Sequence, residues 1–197
     1  MGTSNHHLIH AALVPAAGYS VRFGGDKRKQ RIDKDTLLTQ TVKRAIDVYE
    51  EVLIVIRHDD DEIRQELEQY DARIMAAPSY PVGLGTSIAA GISALSHCHT
   101  VSICLADMPF ISPDIHNDLL KKSSPQSIVR PFYRNNPGHP VTFGSDFFME
   151  LERLSGDLGA WPVIKKNLDS LISVEVSDRA VITDIDIKSD LEKFLNQ

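Results

Sequence analysis

The stretch that decides the fold is Val14-Pro15-Ala16-Ala17-Gly18-Tyr19-Ser20-Val21-Arg22-Phe23-Gly24-Gly25-Asp26-Lys27. It follows an apolar run from Leu8 to Val14, in which His10 is the one polar residue, and such a run predicts a buried strand. Small residues and glycine after a strand allow backbone N–H groups to approach a phosphate chain closely. The alternative is an ordinary glycine turn followed by a solvated basic loop.

The same stretch concentrates positive charge in a chain whose net charge is −6. Five basic residues fall between positions 22 and 31, namely Arg22, Lys27, Arg28, Lys29 and Arg31. A local basic loop in an acidic protein suits a small anion, whereas nucleic acid requires a broad positive face. We therefore expect a nucleoside triphosphate as ligand, contacted by Arg22 and Lys27, and no nucleic-acid partner.

Apolar runs alternate with amphipathic patterns through the first half of the chain. Strands are expected at 8–14, 52–56, 73–76 and 101–105, and helices at 36–49, 60–70, 86–95 and 112–122. This βαβ rhythm predicts an α/β fold, a Rossmann-like three-layer α/β/α arrangement around a mainly parallel sheet.

The rhythm changes in the second half. Ser127–Pro131 and Pro140–Phe143 are expected strands around a turn rich in Asn, Pro and Gly, which predicts a hairpin or an antiparallel edge. Helices are expected at 145–154, 160–167 and 188–195, and a strand at 171–176. No repeat, low-complexity tract or linker divides the sequence, so we expect a single domain over residues 1–197.

A carboxylate follows the strand expected at 101–105, in Leu105-Ala106-Asp107-Met108-Pro109. Ligands of open α/β sheets collect beyond the carboxyl ends of the strands, so Asp107 is expected to face the nucleotide. A carboxylate beside a triphosphate repels it unless a divalent cation lies between them, and Mg²⁺ is the natural choice. The alternative is that Asp107 caps the following turn.

Two further segments bear on the same ligand. In Thr183-Asp184-Ile185-Asp186, alternation places both aspartates on one face if the segment is extended, which is costly without a cation. The alternative is that Asp186 or Ser189 caps the last helix. Pro81-Val82-Gly83-Leu84-Gly85-Thr86-Ser87 opens a helix with free N–H donors, although it is equally compatible with a simple turn and cap.

These segments together resemble the molybdenum cofactor cytidylyltransferase family of MobA-like NTP transferases. Ala16 to Lys27 is similar to the signature loop Ala-Ala-Gly-x-Ser-x-Arg-(Phe/Met)-Gly-x-x-Lys, and Leu105 to Pro109 to the metal-binding Leu-Ala-Asp-Met-Pro. Gly138-His139-Pro140 and Gly156-Asp157-Leu158-Gly159-Ala160 resemble two signatures of the cytidylyl subgroup. The resemblance runs from Leu8 to Phe194.

The resemblance implies a nucleotide-diphospho-sugar transferase-like fold and a Mg²⁺-dependent transfer of CMP from CTP to the phosphate of a molybdopterin-type cofactor, with release of pyrophosphate. It implies catalytic roles for Arg22, Lys27 and Asp107. The nucleotide-binding residues it implies are Ala16, Ala17, Gly18, Ser20, Arg22, Lys27, Gly83, Gly85 and Ser87. The acceptor-binding residues are Gly138, His139, Gly156 and Asp157, and the metal ligands are Asp107 with Asp186 first and Asp184 second.

Several alternatives stay open at this point. Lys29 competes with Lys27, because the family carries leucines where this chain has Arg28-Lys29-Gln30. Ala17 favours CTP over GTP, since the guanylyl branch has a second glycine there. Rival functions are guanylyl transfer, transfer to a sugar or polyol phosphate, and a non-catalytic nucleotide or cofactor binder.

The expected location of the protein is the cytoplasm. Its two cysteines, Cys98 and Cys104, are too few for a disulfide framework, and no apolar run approaches membrane-spanning length. We therefore expect no membrane partner. The resemblance adds a molybdoenzyme or its chaperone as a candidate partner.

Overall fold

The computed structural model describes residues 8–19, 25–78 and 83–185. The strands are β1 His10–Pro15, β2 Arg31–Ile32, β3 Asp35–Thr36, β4 Glu51–Ile56, β5 Arg73–Ala76, β6 Thr100–Ile103, β7 Ile128–Tyr133, β8 Asn136–Pro137, β9 Val141–Gly144 and β10 Leu171–Glu175. The α-helices are α1 Leu37–Ile46, α2 Asp61–Leu67, α3 Leu84–Ala94, α4 Pro113–Leu120, α5 Phe148–Leu151 and α6 Trp161–Lys166.

Eight of the described strands form one sheet in the order β10-β7-β9-β6-β1-β4-β5, with β8 paired to β7, and β2 and β3 form a separate antiparallel pair. The pairs β6–β1, β1–β4, β4–β5 and β7–β10 are parallel, which confirms the mainly parallel α/β fold. β9 is antiparallel to both of its neighbours, β6 and β7. The predicted hairpin is therefore confirmed, and it is inserted within the sheet with β10 outside it.

Alternating side chains of β1 account for the layers on both faces. Ala11 and Leu13 pack into one core cluster with Ile88 of α3, whereas Ala12 and Val14 pack into a second cluster with Val42 of α1. Successive residues of a strand point to opposite faces, so a continuous apolar run is buried by helices on both sides. The apolar run that precedes the loop at residue 16 thus anchors that loop at the centre of the molecule.

The predicted helix at 145–154 is wrong in its extent. Ser145–Phe147 form a 3-10 turn, and α5 ends at Leu151. At the end of α5, the Glu152 N–H still donates to the Phe148 carbonyl, whereas the Arg153 and Leu154 N–H groups donate to carbonyls three residues earlier, so the last turn tightens and the α-helix ends. The helix expected at 188–195 lies outside the described residues. Within the described ranges, no helix is long and apolar enough to cross a membrane.

A buried arginine fixes the loop that follows β1. Arg28 is 4% exposed and lies in the 3-10 turn Lys27–Lys29. Its guanidinium donates to both oxygens of Asp60, at 2.5 and 2.8 Å, and to both oxygens of Asp26, at 2.8 and 2.5 Å. It also donates to the Ala16 carbonyl at 2.6 Å. One side chain therefore joins the end of β1, the basic loop and the start of α2.

The charges of this cluster stabilise each other. Burial by itself lowers the pKa of Arg28, but the hydrogen bonds that Arg28 donates to Asp26 and Asp60 outweigh it, and the pKa rises. Burial likewise raises the pKa of both carboxyls, and the Arg28 hydrogen bonds reverse that effect, so both pKa values fall below 3.8. A buried ion pair contributes in this way only while both partners are present.

Replacing Arg28 should destabilise the fold. Arg28→Met removes the guanidinium that donates to both oxygens of the buried Asp60 and leaves that carboxylate with the longer ion pair to Arg57 at 3.9 Å. We expect a loss of about 3–5 kcal/mol in the free energy of unfolding at pH 7. Because the two carboxyls have lowered pKa values in the folded state, their contribution is complete above pH 3.8 and is lost as the pH falls through those lowered values. The difference in urea midpoint between mutant and wild type should therefore be constant above pH 3.8 and shrink only as the pH falls through the lowered values.

The matched control is Arg73→Met. Arg73 also pairs with a carboxylate, Glu51, but its side chain is 55% exposed, so its urea midpoint should barely change. Equal losses in the two mutants would show that burial of the Arg28 cluster contributes nothing.

Candidate active site

A cavity of about 800 Å³ opens at the carboxyl ends of β1 and β6. Its walls come from the loop after β1 (15–19), the basic turn (27–28), the start of α3 (83–87), the segment after β6 (105–107) and the turn at 155–157. Cavities of about 300–1,000 Å³ are typical of small-molecule sites. The segments singled out around Gly18, Lys27, Gly83, Asp107 and Asp157 thus meet at one place.

The loop after β1 is held from behind by several hydrogen bonds. The Ala16 N–H donates to the Val55 carbonyl at 2.7 Å, and Arg57 donates from a terminal nitrogen to the Gly18 carbonyl at 3.0 Å. The Arg57 guanidinium also lies 4.2 Å from the ring centre of Tyr19. Arg57 was missed by the sequence analysis. Arg57 could have been recognised from its position, because it is the first residue after a buried parallel strand and ligand-binding residues collect there.

Lys27 and Lys29 point to different parts of the protein. The Lys27 Nζ lies 2.5 Å from Oδ2 of Asp107, and both side chains border the cavity. The Lys29 Nζ instead pairs with Glu62 on the exposed side of α2. The structure therefore brings Lys27, and not Lys29, to the site.

Asp107 has the features expected of a cation ligand. Its Oδ1 is buried and has no hydrogen-bond partner among the described residues. The Ile185 N–H donates to the Asp107 carbonyl at 3.0 Å, which brings Asp184 next in sequence to the same strand end. Asp186, the preferred second ligand, lies outside the described residues. Carboxylate oxygens are the ligands that Mg²⁺ prefers, so the donor set that can be seen fits such an ion.

The start of α3 and the turn at 155–157 form one wall. The Gly85 N–H donates to the Gly156 carbonyl at 2.8 Å, and a Cβ on Gly83 would lie 2.2 Å from that same oxygen. Gly156 has a φ of +66°, which glycine adopts without strain. From the sequence, the start of α3 was expected to bind the nucleotide and the turn at 155–157 the acceptor. In the structure these two segments are in direct contact.

His139 lies beside Asp107 but outside the lining of the cavity. Its backbone N–H donates to the Val181 carbonyl at 2.8 Å. Burial lowers the pKa of His139 to about 4, Arg130 lowers it further and Asp107 partly offsets the change. The imidazole is therefore neutral at pH 7, and its buried Nδ1 has no partner among the described residues.

The structure brings most of the sequence-predicted residues to the cavity. Those that line it are Ala16, Ala17, Gly18, Lys27, Gly83, Ser87, Asp107, Gly156 and Asp157. Gly85 lies behind the wall, against Ser155 and Gly156. Gly138 packs against Val181 next to His139. Ser20, Arg22 and Asp186 lie outside the described residues, and the roles of all these residues remain predictions.

Comparison with known proteins identifies a family that covers most of the chain. Residues 12–171 match the family of MobA-like NTP transferase domains. One relative is a molybdenum cofactor cytidylyltransferase of Escherichia coli K12, 26% identical over 90% of this chain and 91% of its own length. Another is a probable molybdenum cofactor guanylyltransferase of Thermococcus sibiricus, 24% identical over 92% of this chain and 95% of its own.

A solved structure shows the same fold. The Rv0371c protein of Mycobacterium tuberculosis H37Rv, crystallised as a complex with manganese, superposes with a TM-score of 0.81 at 20% identity. The match covers 96% of this chain and 99% of that protein. At this identity the likeness concerns the fold.

We expect the close contact between Gly83 and Gly156 to be needed for the shape of the cavity. Gly83→Ala places a methyl group where the Gly156 carbonyl lies and must displace the turn at 155–157. We expect kcat/KM for the nucleotide to fall roughly 10- to 100-fold, because small misplacements of binding groups have effects of that size. Steady-state kinetics of pyrophosphate release measure it.

Gly25→Ala is the matched control, since a Cβ there meets nothing within 4 Å. It should retain wild-type kinetics. If Gly83→Ala also did so, the close contact between the two segments would be irrelevant to the site.

Proposed function

Because the chain belongs to the family of MobA-like NTP transferase domains, we propose that it transfers CMP from CTP to the phosphate of a molybdopterin-type molybdenum cofactor, releasing pyrophosphate. The observation that carries this proposal is the meeting of the glycine loop, Lys27 and Asp107 in one cavity. Nucleotidyl transfer needs a cradle for phosphates, fixed positive charge and a carboxylate for a divalent ion, and these three segments supply them.

The reaction balances without a covalent enzyme intermediate. A phosphate oxygen of the acceptor forms a new bond to the α-phosphorus of CTP. The bond from that phosphorus to the bridging oxygen of the β-phosphate breaks, and pyrophosphate leaves with its electron pair. The attacking oxygen is ionised at neutral pH, so no general base is required, and catalysis consists of positioning and charge neutralisation.

Each described side chain has a defined task in this scheme. The backbone around Ala16 to Gly18 approaches the phosphates, and Lys27 stabilises the negative charge that grows on pyrophosphate. Lys27 forms its ion pair with Asp107 in the free protein, so it is already oriented toward the reacting groups. Arg57 holds the glycine loop through the Gly18 carbonyl.

Asp107, whose buried Oδ1 has no partner among the described residues, would hold the divalent ion together with Asp186 or Asp184. When bound, Mg²⁺ neutralises charge on the phosphates and orients them. The manganese complex of the mycobacterial protein supports a divalent ion in this fold. Arg22, which lies outside the described residues, is proposed to contact the phosphates beside Lys27.

The choice of CTP rests on Ala17. This residue is fully buried against the core at the position where the guanylyl branch carries a second glycine. The cytidylyltransferase of E. coli supports CTP, and the probable guanylyltransferase of T. sibiricus makes GTP the second candidate. A molybdoenzyme or its chaperone that receives the product, and a cytoplasmic location, belong to the same proposal.

The direct test measures pyrophosphate release with molybdenum-loaded molybdopterin, Mg²⁺ and either CTP or GTP. We expect turnover with CTP at a kcat/KM at least about tenfold above that with GTP, because one close backbone contact is worth roughly 1–3 kcal/mol. Preference for GTP would overturn the cytidylyl assignment. Binding of CTP without turnover would favour a nucleotide sensor.

Asp107→Asn should lower kcat by about 10²- to 10³-fold, because it removes a charge that neutralises the reacting phosphates through their cation. The amide keeps the shape of the side chain, so thermal unfolding should stay close to that of the wild type. Asp118→Asn, at an exposed aspartate that pairs with Lys121, is the control and should retain full turnover. Near wild-type kcat in Asp107→Asn would remove this carboxylate from the mechanism.

Lys27→Ala and Lys29→Ala distinguish the two lysines. Lys27→Ala removes a charge-assisted contact worth roughly 1.5–3 kcal/mol, so kcat/KM for CTP should fall by about one to two decades. Lys29→Ala breaks an exposed pair with Glu62 and should have little effect. The opposite order of effects would assign the phosphate contact to Lys29.

A further inference from the structure

Arg130 is a half-buried cation without an acidic partner among the described residues. Its Nε donates to the Gly138 carbonyl at 2.9 Å, and its terminal nitrogens make no hydrogen bond to any described residue. Arg28 and Arg57, in contrast, both pair with Asp26 and Asp60. Burial lowers the pKa of Arg130, and no nearby carboxylate offsets the change. A guanidinium kept in this state has capacity for an external anion.

The strand order places Arg130 near Asp107, on the side away from the nucleotide loop. β7 is antiparallel to β9, and β9 is antiparallel to β6, so β7 and β6 end at the same edge of the sheet. β6 has β1 as one neighbour and β9 as the other. Asp107 therefore lies between the loop that follows β1 and the segment formed by Arg130 and His139.

His139 connects the two charged residues. Its ring is largely buried, and its Nδ1 has no partner among the described residues. The Gly138 carbonyl that orients Arg130 belongs to the adjacent residue. Three polar groups at this edge of the sheet thus have unused hydrogen-bonding capacity among the described residues, namely the guanidinium of Arg130, Nδ1 of His139 and Oδ1 of Asp107.

We propose that Arg130 binds the phosphate of the acceptor substrate, on the side of Asp107 away from the loop after β1, and that His139 contributes a hydrogen-bonding group from the residue next to Gly138. The proposal rests on the proposed nucleotidyl transfer and assigns the second substrate to a defined side of its site. A planar guanidinium with two free terminal nitrogens matches two oxygens of a phosphate monoester, which a lysine does only as a point charge. The cation of Arg130 also offsets the repulsion between the acceptor phosphate and CTP.

A purely structural role for Arg130 would lead to a different pattern of KM changes in the mutant. If Arg130 only held the turn at Gly138 through its Nε, its loss would lower stability and would affect both substrates alike. A phosphate-binding residue affects the acceptor selectively. The ratio of the two KM effects therefore separates the two roles.

The first experiment compares Arg130→Gln and Arg130→Lys with the control Arg134→Gln, which alters an exposed arginine that stacks on Tyr133. With molybdenum-loaded molybdopterin and CTP, Arg130→Gln should raise the KM for the acceptor roughly 10- to 150-fold, the loss of one charge-assisted contact. The KM for CTP should stay within about twofold of wild type. Arg130→Lys should recover part of the affinity, and the control should match the wild type. Equal changes in both KM values, or a marked fall in the unfolding midpoint, would overturn the proposal.

The second experiment does not depend on turnover. Crystals of the wild type and of Arg130→Gln are soaked in tungstate, a tetrahedral oxyanion whose anomalous signal locates it. We expect a peak against the Arg130 guanidinium in the wild type and none there in the mutant. Peaks only at the loop around Lys27 in both crystals would overturn an anion site at Arg130. Absence of turnover by the wild type with CTP and with GTP would overturn the proposed function, and the tungstate result would still decide the anion site.

Discussion

The ion pairs of Arg28 are the interaction on which the site depends. This side chain joins Asp26, Asp60 and the Ala16 carbonyl, so the end of β1, the basic turn and the start of α2 cannot move separately. Because Arg28 is held in this way, the side chains on either side of it, Lys27 and Lys29, lie on different sides of the turn. With Arg28 pointing inward, Lys27 reaches Asp107 and Lys29 reaches Glu62. Local rigidity therefore decides which of three consecutive cations has its charged end at the cavity beside Asp107.

The second constraint is the direction of β9. Because this strand is antiparallel to its neighbours, the chain enters it at the same edge where β6 ends. Asp107 is consequently flanked by a glycine loop on one side and by Gly138 and His139 on the other. Two substrates that must meet in line can approach one carboxylate from two sides, because the sheet topology changes at this strand.

The sequence allowed prediction of the features that depend on short-range pattern. The apolar run into β1, the carboxylate after β6 and the hairpin around residues 131–140 followed from composition and alternation. The features that it did not predict depend on long-range contacts. Nothing local distinguishes Arg28, which is buried, from Lys29, which is exposed, because the difference lies in Asp60, far along the chain. The wall made by Gly83 and Gly156 joins segments more than seventy residues apart, and no local pattern indicates such a contact.

The contact between Gly83 and Gly156 also bears on protein engineering. Since the start of α3 and the turn at 155–157 touch through backbone atoms, neither can be exchanged by itself for the corresponding segment of a relative with another acceptor. If a graft places a bulkier residue at position 83, the turn at 155–157, which faces that position, must take a different backbone path. The two loops therefore form one structural unit and have to be transplanted together.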